Sequence, residues 1–78
     1  MELTSLAQCR PGERGTIHAI TGSGLFFTRL RTLGVHEEAK VTFVREAPLG
    51  GPLQICLEER NHLAVPRQEA QHILLRRV

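Results

Sequence analysis

The segment KVTFVREAPLGGPLQICLEERNHLAV, residues 40–65, indicates the architecture of the protein most clearly. It contains three segments in which apolar and polar residues alternate, and a period of two indicates half-buried β-strands. Glycine and proline fill the first gap between them, and Arg60 and Asn61 form a polar turn in the second. The predicted inward-facing residues are Val41 and Phe43, then Leu53, Ile55 and Leu57, then Leu63 and Val65.

The segment before this stretch changes from a strand pattern to a helix pattern. GTIHAITG, residues 15–22, is predicted to be a short strand between two glycines. SGLFFTRLRTLG, residues 23–34, has apolar residues at i, i+4 and i+7, which predicts an amphipathic helix. Ser23 is placed to cap its start and Gly34 its end, and Val35 is placed to close the helix end with an apolar contact. The predicted buried stripe consists of Phe26, Leu30 and Leu33.

The two ends of the chain complete the pattern. Leu3 and Leu6 predict a helical turn or short cap before a tight turn at Pro11 and Gly12. Pro66 ends the third strand and suits the first turn of a short helix over residues 66–73, after which ILLRRV closes the sheet. About five strands, one internal helix and a short C-terminal helix predict a mainly β fold. The economical architecture is a small SH3-like or OB-like barrel, formed as a single domain by residues 1–78.

Composition argues against several classes of function. The 78 residues carry a formal net charge of only +2 and contain three phenylalanines but no tryptophan or tyrosine. A nucleic-acid-binding barrel needs a denser basic face and stacking aromatics, and a groove for proline-rich peptides needs an aromatic lining. Cys9 and Cys56 stand apart rather than in a C-x-x-C pair, which favours a reducing cytoplasm. No apolar run is long enough to span a membrane, so we expect any membrane role to act through a partner.

Four parts of the sequence together resemble the FeoA family of small bacterial proteins. These are SLAQCRPGERGTIHAITG, RLRTLGV, the stretch over residues 40–65, and EAQHILL, and they cover nearly the whole chain. The resemblance implies an SH3-like barrel and a non-enzymatic, cytoplasmic protein whose partner is the ferrous-iron transporter FeoB. The same domain also forms the C-terminal module of some iron-dependent repressors. Because no helix-turn-helix segment precedes it here, the stand-alone form is expected.

Two positions depart from the pattern that this family resemblance implies. Ala39 stands where a glycine commonly follows the helix, so the turn is expected to form without a left-handed residue. Pro66 stands where a basic residue is common, so the short helix after it is expected to start abruptly. Neither departure alters the expected fold.

The segment between the first two strands of residues 40–65, Pro48 to Pro52, is here called the tip. Pro48 stiffens the chain, Gly50 and Gly51 can supply the positive φ of a reversal, and Pro52 cannot donate to a strand ladder. Leu49 either extends into solvent as part of a recognition loop or folds over the open end of the barrel. With Arg29 or Arg31 as charged neighbours, the tip is our hypothesis for the transporter contact. The predicted partner-binding residues are Pro48, Leu49, Gly50, Gly51, Pro52, Arg29 and Arg31.

Metal and catalytic sites have weaker support in the sequence. His36, Glu37 and Glu38 are the best local group for a divalent ion, but a stable site needs three or four converging ligands. The chain lacks a supported Ser-His-Asp or Cys-His arrangement, so we predict no enzymatic activity, no cofactor and no resident metal. The alternative function is a metal-responsive regulatory module that binds Fe²⁺ or another divalent ion through histidine and carboxylate side chains. A third reading, a nucleic-acid-binding barrel, predicts strongly salt-dependent binding to polynucleotides.

Overall fold

A computed structural model describes residues 3–77, which fold into six strands, two α-helices and two 3₁₀ turns. The 3₁₀ turns are Leu6–Gln8 and Pro48–Gly50. The helices are α1 (Leu25–Thr32) and α2 (Arg67–Ala70). The strands are β1 (Leu3–Ser5), β2 (Arg14–Ile20), β3 (Lys40–Glu46), β4 (Leu53–Leu57), β5 (Asn61–Val65) and β6 (Ile73–Arg77).

All six strands belong to one antiparallel sheet in the order β1-β6-β2-β3-β4-β5. The sheet has the SH3-like form that the family resemblance implied, which is one of the two barrels that the alternating pattern left open. Strand β5 lies at its end, paired with β4 alone among the described residues. The inward positions predicted for β3 and β4 are all buried, as is Val65, while Leu63 is partly buried against the core. The sequence pattern therefore predicted the core of this half of the barrel correctly.

The N-terminal segment contributes a strand that the sequence did not predict. Leu3 to Ser5 pair with Leu74 to Arg76 of β6, and the 3₁₀ turn begins only at Leu6. The helical turn expected from Leu3 and Leu6 is thus correct for the second part of the segment and wrong for the first. Leu6 is fully buried, whereas Leu3 is 44% exposed. The backbone of this segment satisfies its hydrogen bonds by extending the sheet, which local spacing cannot reveal.

The buried face of α1 differs from the predicted stripe. Phe27 and Leu30 are buried, whereas Phe26 and Leu33 are 37% and 52% exposed. Either phenylalanine lies on the same helix face as Leu30, because residues three and four apart are both neighbours. The choice is made outside the helix: Gly22 leaves room for the ring of Phe27, since a Cβ at that glycine would lie 2.2 Å from it.

The sequence predicted the C-terminal end of α1 correctly and its N-terminal cap incorrectly. Ser23 does not cap the helix; the N-cap is Gly24, without a side-chain hydrogen bond. The predicted C-terminal closure is confirmed. Gly34 has a φ of 107°, its N–H donates to Arg31 O at 3.1 Å, and the Val35 N–H donates to Leu30 O at 2.9 Å. This pair of bonds is a Schellman motif, and the fully buried Val35 supplies its apolar contact.

The two positions that depart from the family pattern behave differently in the structure. The turn before β3 does contain a left-handed residue, because Glu38 has a φ of 75° while Ala39 is buried. The expectation that this turn forms without a left-handed residue is therefore wrong, because Glu38, directly before Ala39, takes that conformation. Pro66 is the N-cap of α2 rather than part of its first turn, and α2 is shorter than the predicted range.

Candidate functional site: the tip and the groove beside it

The tip reverses the chain between β3 and β4 through a tight turn. The Gly51 N–H donates to Pro48 O at 3.3 Å, and below it the Ala47 N–H donates to Pro52 O at 2.9 Å. The two central residues, Leu49 and Gly50, have φ values of 62° and 72°. Positive φ at both central positions is the pattern of a type I′ turn, the reversal that matches the twist of a hairpin.

Leu49 extends into solvent. Its relative exposure is 104%, higher than that of every other large apolar residue described as exposed. The alternative in which Leu49 folds over the open end of the barrel is therefore wrong. An isolated leucine in the left-handed region is also unusual, because its Cβ crowds the following carbonyl.

The two glycines of the tip have different roles. Gly50 has the predicted positive φ. Gly51 has a φ of −73°, so the expectation that it also supplies positive φ is wrong. It is required for close approach instead, because a Cβ at Gly51 would lie 2.9 Å from the Ala47 Cβ. The tip is consequently a tightly packed turn rather than a flexible loop.

A shallow groove of about 340 Å³ lies beside the tip on the outer face of the sheet. Its floor comes from β3 and β4, and its far wall from β5. The Arg45 Nε–H donates to Gln54 Oε1 at 3.0 Å, which holds the guanidinium along one side. The lining residues are Arg45, Ala47, Pro52, Gln54, His62, Leu63 and Ala64. The alternation in residues 40–65 already placed Gln54 outward, but recognising the groove requires knowing that β5 ends the sheet.

The structure does not bring the predicted arginines to the tip. Arg31 donates to Glu37 Oε1 at 2.9 Å, close to the start of β3, and Arg29 is an exposed residue of the same helix. The tip follows the other end of β3, whose seven residues span roughly 20 Å at about 3.3 Å per residue. The hydrogen bond from Arg31 lowers the pKa of Glu37 below its usual range and raises the pKa of Arg31. Arg31 is thus engaged within the chain.

The turn between β4 and β5, residues 57–60, is here called the polar turn. The Arg60 N–H donates to Leu57 O at 2.9 Å, and the central residues Glu58 and Glu59 have φ values of 52° and 60°. The Glu58 carboxylate accepts a hydrogen bond of 2.9 Å from the Lys40 N–H. The side chain of Glu58, a residue with positive φ, therefore forms a hydrogen bond within the fold.

The candidate metal ligands do not converge. Glu37 is paired with Arg31, and Glu38 accepts two hydrogen bonds of 2.6 Å from Arg76. The His36 ring contacts the backbone carbonyl of its neighbour at 3.0 Å. Between residues 3 and 77, no three histidine, cysteine or acidic side chains are grouped as metal ligands would be. Both carboxylates of the local group are therefore already bound by arginines.

Cys9 has the properties of a structural thiol. Burial raises the pKa of Cys9, and the Glu13 carboxylate adds to the effect. Its S–H donates to Ser5 O at 3.7 Å. A nucleophilic cysteine requires a lowered thiol pKa, so Cys9 lacks the activation that such chemistry needs.

The comparison with protein families gives the chain its identity. The model of the FeoA domain matches residues 4–77. The chain belongs to the FeoA family. This family consists of small accessory domains associated with ferrous-iron transport. No curated protein matches the chain in sequence. None of the helices within residues 3–77 has the length and hydropathy that a membrane span requires.

Solved structures of FeoA proteins are similar to this chain along most of its length. The FeoA protein from Chlorobium tepidum is 27% identical, with a TM-score of 0.84, over 92% of this chain and 69% of that one. The FeoA of Stenotrophomonas maltophilia, a prokaryotic SH3 domain protein complexed with zinc, is 19% identical, with a TM-score of 0.79, over 94% and 89%. At this identity the second similarity establishes the fold alone.

The same fold occurs inside a larger protein. A manganese-dependent transcriptional repressor is 16% identical to this chain, with a TM-score of 0.87. The match covers 100% of this chain but only 38% of the repressor. The SH3-like fold thus also occurs as one part of a larger protein.

Proposed function

We propose that this FeoA protein is a non-enzymatic, cytoplasmic adaptor of bacterial ferrous-iron uptake. It binds the cytoplasmic part of the FeoB-type transporter and modulates it. The observation that carries the proposal is Leu49, an apolar side chain that is fully exposed at a tightly packed turn. The association of the FeoA family with ferrous-iron transport supports the choice of partner.

The conformation of Leu49 supports a role outside the chain. A non-glycine residue in the left-handed region costs about 1–2 kcal/mol. Complete exposure means that burial of the Leu49 side chain in the core does not offset this cost. Since single exposed leucines are otherwise ordinary, the combination of exposure and strain is the informative feature.

The rigidity of the tip favours recognition. Two prolines and the close contact at Gly51 restrict the turn before any partner binds. A restricted loop loses little conformational entropy on docking, so more of the contact energy appears as affinity. Modulation further requires that the adaptor bind two states of the transporter with different affinity.

A calorimetric titration tests this proposal. The protein is titrated with the purified cytoplasmic GTPase region of FeoB from the same organism, in each nucleotide state. We expect saturable binding that differs between states. Leu49→Ala should weaken it by roughly 10- to 100-fold, because burying a leucine contributes about 1.5–3 kcal/mol. The midpoint of thermal unfolding should remain unchanged.

Leu25→Ala is the matched control, since Leu25 is another leucine, 66% exposed, on α1. This variant should bind the GTPase region like the wild type. Equal losses of affinity for both variants would contradict a contact centred on the tip. Absence of binding by the folded wild type in every nucleotide state would contradict the proposed function itself.

A further inference from the structure

The outer edge of β5 offers unpaired backbone groups beside the tip. The Glu58 N–H donates to Lys40 O at 2.9 Å, so the even-numbered residues of β4 direct their backbone groups toward β3. The odd-numbered residues of β4 therefore face β5, where they pair with Asn61, Leu63 and Val65. It follows that the N–H and C=O groups of His62 and Ala64 point away from the sheet.

These outward groups have no partner within residues 3–77. The strand pairs with β4 alone, and no backbone hydrogen bond from elsewhere in this part of the chain reaches it. An open edge of this kind is a template for another strand. Pro66 follows directly and limits the edge to the five residues of β5.

The face next to this edge is basic. The cross-strand register places Arg14, Thr42, Cys56 and His62 in one row across β2 to β5. Residues directly opposite on neighbouring strands share a face. Arg45 belongs to the adjacent row, which ends at Ala64 on β5. This face therefore carries two arginines and a histidine that alternate with small or neutral side chains.

Neither arginine of this face has a carboxylate partner within residues 3–77. Arg45 hydrogen-bonds only the neutral Gln54, and Arg14 has no carboxylate partner among residues 3–77. Elsewhere on the barrel, in contrast, Arg31, Arg67 and Arg76 each pair with a glutamate. Arg45, which lines the groove next to the open strand edge, therefore complements a segment that carries carboxylates.

We propose that β5 binds an extended, acidic segment of the transporter's cytoplasmic part by strand addition. The backbone of the segment hydrogen-bonds to the outward N–H and C=O groups of His62 and Ala64. Its carboxylates face Arg45 across the groove. This inference rests on the proposed function, since it names the chemistry of the segment that docks beside Leu49.

A second copy of this chain fits the edge less well. Antiparallel pairing of two β5 edges about Leu63 would set His62 of each copy opposite Ala64 of the other. The basic grooves of both copies would then adjoin across the new pair of strands. Like charges in this arrangement oppose association.

Ala64→Pro tests strand addition directly. Proline removes the outward N–H at this position, and the hydrogen bonds to β4 remain because they come from the odd-numbered residues of β5. We expect the variant to bind the GTPase region of FeoB at least 10-fold more weakly than the wild type. Ala64→Val keeps the N–H on a strand-compatible residue, so it should lose at least threefold less affinity than Ala64→Pro.

Amide hydrogen exchange of the wild type gives a second readout that does not depend on the folding of a variant. On binding, the amides of His62 and Ala64 should become at least 10-fold better protected from exchange. In a separate titration, Arg45→Gln should reduce affinity for the GTPase region most at low salt. Wild-type binding without this protection, together with wild-type affinity of Ala64→Pro, would overturn strand addition while leaving the Leu49 contact intact. A free wild-type dimer that Ala64→Pro converts to monomer would overturn it in favour of a second copy.

Discussion

The tip and the polar turn reverse the chain in the same way and use their residues differently. Both hairpins have positive φ at both central positions, and in both a side chain occupies the first of them, Leu49 or Glu58. Glu58 accepts a hydrogen bond from the Lys40 N–H, whereas Leu49 is fully exposed. The hydrogen bond of Glu58 gives its side chain a role within the fold, whereas Leu49 makes no such contact within residues 3–77.

The largest effect on stability is expected at the polar turn. Glu58→Ala should lower the free energy of unfolding by roughly 1–2 kcal/mol, because it removes a hydrogen bond to a charged acceptor and leaves the positive φ in place. Urea denaturation measures this. Glu58→Gln, which retains an acceptor, should lose less, and Leu49→Ala should lose almost nothing. A Leu49→Ala loss as large as that of Glu58→Ala would remove the distinction between the two turns.

A smaller effect of opposite sign is expected at the tip. Leu49→Gly should raise the free energy of unfolding by about 1 kcal/mol, because glycine adopts positive φ without the Cβ penalty. It should also weaken binding to the transporter, so stability and function would change in opposite directions. Urea denaturation and the calorimetric titration measure the two quantities. Destabilisation by this substitution would mean that Leu49 supports the turn, contrary to its exposure.

The sequence predicted those features that depend on local pattern. Alternation identified the buried faces of β3 and β4, and Gly34 with Val35 identified the end of α1. It could not choose between Phe26 and Phe27, because both fit the helix period and Gly22 makes the choice through space. The groove was missed for a related reason: its outward residues were readable, but the open edge of β5 depends on strand order.

The candidate site was predicted in part. The tip was correctly recognised as a tight turn, but the left-handed Leu49 was not, because glycine normally takes such positions and two glycines follow it. Glu58 and Glu59 escaped prediction for the same reason. Arg29 and Arg31 were placed beside the tip because sequence spacing gives no measure of the distance along β3. The structure therefore departs most from the sequence prediction at turn positions where a residue other than glycine has positive φ.

The smallest effect is expected from Glu37, which lies at the same end of β3 as the polar turn. Its dependence on pH distinguishes this end of the barrel from the tip. Its pKa is lowered by the hydrogen bond from Arg31, so the ionised carboxylate stabilises the folded state. This contribution is fully present above the ordinary value of 4.5 and is lost as pH falls through the lower pKa of the folded state. Because both side chains are solvent-exposed, the effect should be small and further reduced by salt.

Thermal unfolding midpoints of the wild type and Glu37→Gln, measured from pH 7 to below pH 4, test this expectation. The small difference between them at pH 7 should disappear only below pH 4.5. The tip has no titratable side chain, so the stabilisation by Leu49→Gly should persist across the same range. If the stabilisation by Leu49→Gly also vanished in acid, the tip would be coupled to the charged network at the other end of β3, and Leu49 could no longer be read as a residue whose role lies outside the chain.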